Sequence, residues 1–390
     1  MSDYTDVLLN TQTLLSHPSV TPNDGGSHLW LMSALNKLGY KTSEINHGDV
    51  KNFLAIPKGG LNKQTILFVG HTDVVPANEA EWKYPPFNPT WDNDILYGRG
   101  AVDMKSSIAA MLASVATLQK ANHSANVAFL ITSNEEGESN FGIEYVLKHH
   151  KQLFTNVHKV LIGEPTSNKH LGDTIKIGRR GSINLKINIV GKSGHVAYPS
   201  EYHNPLDLSL KIASKLNLMT WGKPYDHFDQ SKMTIVSMQT NSNVFNATAS
   251  LCELKINWRF NPSLSIQNIK DTINALCNNM KEDHYKIECH WLNQGKPFFN
   301  SRLNFAHQIK NAIQPLVEND IIFSTSGGTS DARFFNTDHF ELVELGPRNY
   351  SAHKVDEHIS KKDLITLKNL YLSIIKADII SYNNPDHQVL

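Results

Sequence analysis

The chain has 390 residues, 40% apolar and 19% charged, which is enough apolar side chain for two domains of ordinary size and too little charge for a disordered chain. Lys plus Arg and Asp plus Glu each number 37, so no net charge draws the chain to nucleic acid or to an anionic membrane, and neither partner is expected. No apolar stretch is long enough to span a bilayer, MSDYTDVLLNTQTLLS places acids where an export signal needs basic residues, and Cys252, Cys277 and Cys289 show no metal-ligand spacing, so a reduced, cytoplasmic setting is expected.

Residues 1–180 read as the first part of an α/β domain. Helical patterns at about 3–16 and 28–38, the second stopped by Gly39, precede a short apolar run at 65–70. A helical stretch from Asp103 to about Lys120 separates this run from another at 126–131, and a third follows at 159–163. Polar residues with chemistry come directly after each run: His71 and Asp73, then Glu135 and Glu136, then Glu164. Ligands of open α/β sheets sit outside the carboxyl ends of strands, so these residues are predicted to converge.

From 181 to 295 the rhythm changes. SINLKINIV alternates strictly, a helical pattern follows at 204–218, strands at 232–239 and 250–260, a helix at 264–280 and a strand at 285–292. That order, βαββαβ, is the split-βαβ motif of a ferredoxin-like domain inserted into the larger one. In CELKINWRF the period of two predicts Cys252, Leu254, Ile256 and Trp258 on one face, and Glu253, Lys255, Asn257 and Arg259 on the other. The larger domain resumes over 296–390 with a Gly-rich loop, SGGTSDARF at 326–334, and a helix from about 361 opened by the capping pattern Ser360 to Asp363.

Each site residue has an ordinary reading when taken alone. His71 could be a hydrogen-bonded loop histidine, Asp103 a helix N-cap, and Glu135-Glu136 a solvated acidic turn. Glu164 closes a buried run, where a carboxylate stripped of water needs a partner, and His353 can return to the same sheet edge. Together they form a two-metal inventory. If Asp103 bridges, one cation takes His71 and Glu164 and the other takes Glu136 and His353, each keeping an open position for water.

The stretches HTDVVP (71–76), LYGRGAVDMK (96–105), TSNEEG (132–137), IGEPTSNKHLGD (162–173), GRRGS (178–182), GKSGHVAYP (191–199), GGTSDARF (327–334) and GPRNYSAHKVDEH (346–358) together resemble the di-zinc aminoacylase/carboxypeptidase-type metallohydrolases. The resemblance implies an α/β, di-zinc aminopeptidase-like catalytic domain (1–180 and 296–390) carrying an inserted ferredoxin-like dimerisation or lid domain (181–295). It implies His71, Asp103, Glu136, Glu164 and His353 as ligands of two divalent ions, zinc first and cobalt as the alternative. Asp73 would orient His71, and Glu135 would be the general acid/base. Arg179, Tyr198, Arg259, Gly328, Thr329 and Asn349 fall at substrate-binding positions. His195 is expected to reach the active site of a partner subunit, which implies a homodimer. The family's Asn-x-x-Pro appears as Asn246-Ala247-Thr248-Ala249, so Asn246 and Asn243 compete for one substrate contact. GEPTSNKHLGD, GRRGS and GGTSDARF resemble the branch that hydrolyses N-succinyl-LL-2,6-diaminopimelate, in lysine and diaminopimelate synthesis. A deacylase of another N-acyl amino acid, such as acetylornithine, is the alternative, and a silent binding protein on the same fold is a further one.

Overall fold

Apolar runs bounded by polar residues become strands buried on both faces, and a parallel sheet covered by helices accommodates them. In the computed structural model, which describes residues 3–137 and 139–383, the three runs form the strands Ile66–His71, Val127–Thr132 and Lys159–Ile162. Ile66–His71 pairs in parallel with both of the others, and His71 lies opposite Thr132. The whole sheet has eight strands, ordered Lys41–Glu44, Asn52–Ile56, Val127–Thr132, Ile66–His71, Lys159–Ile162, Glu341–Glu344, Thr174–Lys176 and Ile322–Ser324. Its central strands therefore deliver His71, the 133–137 loop and Glu164 to one edge.

The chain forms two units. The first spans Met1–Ile177, Asn300–Ser324 and Ser330–Leu390, and the second spans Gly178–Phe299 with Thr325–Thr329. In the first, the helix Lys105–Lys120 is buried along most of its length. Its small residues Ser107, Ala109, Ala110, Ala113 and Ser114 permit close approach, and the Ser114 hydroxyl donates to the Lys368 carbonyl at 2.8 Å on the helix Lys361–Asn383. Phe68 packs edge-on against Phe129 and Tyr371, each with ring centroids 5.8 Å apart. Both phenylalanines are fully buried, and each contributes about 1.5–3 kcal/mol. The helix Lys361–Asn383 opens as expected, the Ser360 hydroxyl accepting from the Asp363 amide at 3.0 Å. The expected start of the long helix at Asp103 is corrected: it begins at Lys105, and Asp103 does not cap it.

The second unit follows the βαββαβ order, with strands Gly181–Val190, Lys232–Thr240, Leu251–Phe260 and Lys286–Gly295 and helices Pro205–Leu218 and Ile266–Asn279. Its sheet is ordered Lys232–Thr240, Leu251–Phe260, Gly181–Val190, Lys286–Gly295 and is antiparallel throughout. Alternation decides its faces: Cys252, Leu254, Ile256 and Trp258 are buried, whereas Glu253, Asn257 and Arg259 are half-buried and Lys255 is exposed. The buried face packs with Leu208, Ile212, Leu216, Ile269 and Ile273 of the two helices into one core. Ser265 and Asn268 form a reciprocal capping box at the start of the second helix. No helix among the described residues is long and apolar enough to cross a membrane.

Candidate active site

The first unit gathers His71, Asp73, Asp103, Glu135, Glu136, Glu164 and His353 where the central strands end. His71 is the last residue of its strand, and its Nδ1 donates to the main-chain carbonyl of Asp73 at 2.9 Å. In the neutral ring this leaves the Nε2 lone pair facing Asp103 Oδ1 at 3.2 Å and Glu164 Oε1 at 3.4 Å. Across the cluster, His353 Nε2 lies 3.3 Å from Asp103 Oδ2 and 2.8 Å from Glu136 Oε1. Asp103 therefore turns one oxygen to the His71–Glu164 pair and the other to the His353–Glu136 pair.

Backbone geometry sets this arrangement. Gly100 adopts φ +88°, and a Cβ there would lie 2.9 Å from Val74 Cγ1, so the GRG turn before Asp103 needs glycine. A Cβ on Gly163 would meet Ser107 Cβ at 2.6 Å, so glycine lets the strand leading into Glu164 pass against the long helix. The Asp73 carboxylate is 3.6 Å from His71 Nδ1, farther than its own carbonyl. It accepts instead from the amides of Glu135, at 3.1 and 3.2 Å, and of Glu136, at 3.0 Å. Asp73 thus ties the histidine-bearing strand end to the Glu-Glu turn.

The electrostatics test whether this donor set suits a cation. Burial opposes charge on His71, but Asp103 and Glu164 outweigh it and hold the ring well above its usual pKa of 6.5. Asp103 and Glu136 raise His353 to about 10. Burial, then the Glu164 carboxylate, pushes Glu135 well above the ordinary carboxylate range, and burial pushes Glu136 up to about 7. Both imidazoles hold a proton unusually tightly; burial opposes charge on Asp103, but His353 and His71 hold it below the ordinary carboxylate range, while Glu135 and Glu136 resist ionisation, so the donor set suits a divalent cation. Donor atoms of His71, Asp103 and Glu136, and of His71, Glu135 and Glu164, lie within 4.8 Å of one another. Two imidazoles and several carboxylates fit divalent cations that take nitrogen and oxygen ligands.

Two carboxylates in this region were not singled out from sequence. Asp331 is buried, and burial raises its carboxyl to about 7, with Glu164 and Asp73 adding to the effect. Glu357 is fully buried and grips the turn before Asp103. Both stand in the stretches GGTSDARF and GPRNYSAHKVDEH, where an acid amid turn residues was the available signal. Asn349 is exposed in the first unit, its amide donating to the Ser167 carbonyl at 3.1 Å.

The remaining candidates belong to the second unit. Arg179 is buried and its Nη1 donates to the Gly328 carbonyl at 3.3 Å; Thr329 is half-buried beside it in the chain. Arg259 is half-buried, and burial and the neighbouring Arg180 lower its pKa. His195 and Tyr198 are exposed, with ring centroids 5.7 Å apart. His195 Nδ1 accepts from the Ala197 amide at 3.1 Å, which puts the neutral ring's proton on Nε2. The Asn246 carbonyl accepts from the Val196 amide at 3.1 Å, bringing these two loops together, while the side-chain-bearing faces of Asn243 and Asn246 are both exposed.

The profile of Peptidase family M20/M25/M40 matches residues 67–377. A succinyl-diaminopimelate desuccinylase of Coxiella burnetii is 36% identical over 366 residues, covering 93% of this chain and 96% of the relative. Among solved structures, an M20 family metallo-carboxypeptidase from Sulfolobus solfataricus superposes with a TM-score of 0.78 at 17% identity, covering 96% of this chain and 99% of that one. A dinuclear metal-binding peptidase of the M20 family from Bacillus subtilis superposes with a TM-score of 0.67 at 13% identity, covering 97% and 98%.

Proposed function

The chain belongs to peptidase family M20/M25/M40, and from that membership and the donor set we propose that it is a metal-dependent amidohydrolase that converts N-succinyl-LL-2,6-diaminopimelate to succinate and LL-2,6-diaminopimelate, in lysine and diaminopimelate synthesis. The split of Asp103 between two histidine–glutamate pairs carries the chemistry, and the likeness to a desuccinylase along nearly the whole chain supports the substrate. His71, Glu164 and Asp103 would hold one divalent cation, and His353, Glu136 and Asp103 the other, zinc first and cobalt as the alternative. Such ions lower the pKa of a bound water from about 15.7 toward 7 and polarise an amide carbonyl.

Glu135 is the general base and acid. As the carboxylate, it would accept a proton from the attacking water and then return that proton to the leaving amine. Asp73 aims this group by holding the Glu135 and Glu136 amides. Arg179, Arg259, Tyr198, Thr329, Gly328, Asn349 and one of Asn243 or Asn246 bind the substrate's carboxylates, ammonium group and carbonyl, guanidinium being suited to two-point carboxylate contacts. His195 donates from Nε2 to the developing oxyanion of a partner subunit, which makes the working form a homodimer. The three cysteines are free thiols and suit a cytoplasmic enzyme.

Turnover of N-succinyl-LL-2,6-diaminopimelate beside N-acetylornithine, with zinc-loaded and chelated protein, tests this reading. Zinc-dependent loss of the succinyl substrate alone is expected. Preference for acetylornithine would keep the metal chemistry and overturn the substrate, and turnover indifferent to chelation would overturn both.

A further inference from the structure

The two halves of the Asp103–His353 pair come from segments about 250 residues apart in sequence, and one side chain joins them. Glu357 is fully buried. Its Oε1 accepts from the amides of Val102 at 2.8 Å and Asp103 at 3.0 Å, and its Oε2 accepts from the Gly100 amide at 3.0 Å and from Arg99 Nη1 at 2.8 Å. Its main-chain carbonyl also accepts from the Gly98 amide at 3.0 Å. Arg99 returns the contact by donating to the Lys354 carbonyl at 3.1 Å, with its guanidinium 4.9 Å over the Trp82 ring. A buried carboxylate satisfied by four donors from one turn fixes that turn in place.

The other end of the link is His353, four residues upstream. It adopts φ +60°, a conformation that a residue with a Cβ rarely takes without support from its surroundings. Glu357 and Arg99 supply that support from one side. The Ser351 hydroxyl supplies it from the other, donating to the His358 carbonyl at 2.8 Å. His71 and Glu164 have no such dependence: one ends a strand and the other follows one, and the sheet holds both strands. Glu136 is held through Asp73.

We propose that Glu357 is a positioning residue for the cation site formed by His353, Glu136 and Asp103, clamping the Asp103 turn to the His353 segment so that both donors face one ion. The proposal rests on the two-cation reading above. The test is calorimetric titration of Co²⁺ into chelator-stripped wild type, Glu357→Gln and Glu357→Asp, with the visible cobalt spectrum followed in parallel and circular dichroism reporting the fold. Wild type binding fewer than two ions would overturn the two-cation reading itself, independently of the variants. With two ions in wild type, Glu357→Gln is expected to bind the ion at His353 and Glu136 about 10–100-fold more weakly, the usual effect of losing a residue that orients ligands, and to weaken the other ion, which shares only Asp103, much less. Turnover should recover at high Co²⁺ with an unchanged KM. Glu357→Asp, which keeps the charge but is one methylene short, should fall between. A folded variant that binds both ions as wild type does, or weakens both equally, would overturn the assignment. Failure of both variants to fold would overturn it too, making Glu357 a support of the fold alone.

Discussion

Two sets of loops carry the candidate chemistry, and they differ in what holds them. Around His71, Asp103, Glu135, Glu136 and Glu164, side chains are buried or half-buried and are braced by residues distant in sequence, as Asp73 braces the Glu-Glu turn and Glu357 braces the Asp103 turn. Around His195, Tyr198 and Asn246, side chains are exposed and the bracing comes from within the same unit, between neighbouring loops. The first set is held by its surroundings, with carboxylates brought together in low dielectric, whereas the second rests on contacts between neighbouring loops at the surface.

Glu135→Ala should break this comparison most strongly. Turnover is expected to fall by about 10²–10⁴-fold, with metal content measured by atomic absorption unchanged, because the bracing of the other donors survives. Loss of metal in parallel with activity would make Glu135 a ligand. For His195→Ala, a fall of about 10²–10³-fold is expected, as for other oxyanion donors, with the thermal unfolding curve unmoved. Mixing it with Glu135→Ala under conditions of subunit exchange should restore activity; no recovery would remove the cross-subunit role.

The next effect is on stability and belongs to the first unit. His28 is buried against Phe53, and burial lowers its pKa to about 4. Its folded-state pKa lies below the unfolded value of 6.5, so the unfolded chain binds the extra proton and stability falls as pH drops from 6.5 to 4. That single group removes about 3 kcal/mol across the window. Urea unfolding of His28→Leu should show a flatter pH dependence than wild type over that range; an identical slope would show that His28 titrates normally. The smallest effect belongs to the second unit: Ser265→Ala removes the capping box and should cost about 1 kcal/mol, with cobalt binding untouched.

Much of the first unit was legible because one physical rule links pattern to place. Apolar runs become buried strands, and residues just after them reach one edge of the sheet, which is how His71, Glu135, Glu136 and Glu164 could be grouped from sequence. The alternation in CELKINWRF likewise assigned the faces of the inserted sheet. Asp103 was harder, since an acid before a helix also reads as a cap, and the turn of its two oxygens toward separate histidines depends on segments far apart in sequence. Glu357 and the Asp73 carboxylate were illegible for a further reason. Their main partners are backbone amides, which every residue possesses, so sequence carries no mark of the contact. Asp331 is similar: burial gives it its perturbed acidity, and burial of one loop residue follows from the packing of distant segments.

The Asn300 amide donates to the Ile177 carbonyl at 2.9 Å, and Gly178–Arg179 pairs with Phe298–Phe299 immediately beyond. The polypeptide therefore leaves the first unit and re-enters it through hydrogen-bonded neighbours, an arrangement in which a whole module can be gained or lost over evolutionary time without re-threading the sheet. One short stretch spoils that freedom. The Thr325 hydroxyl donates to the His227 carbonyl and the Gly328 carbonyl accepts from Arg179, so a glycine-rich loop encoded after the module depends on partners within it. Module and loop are separate in the sequence, yet a change in one bears on the hydrogen bonds of the other.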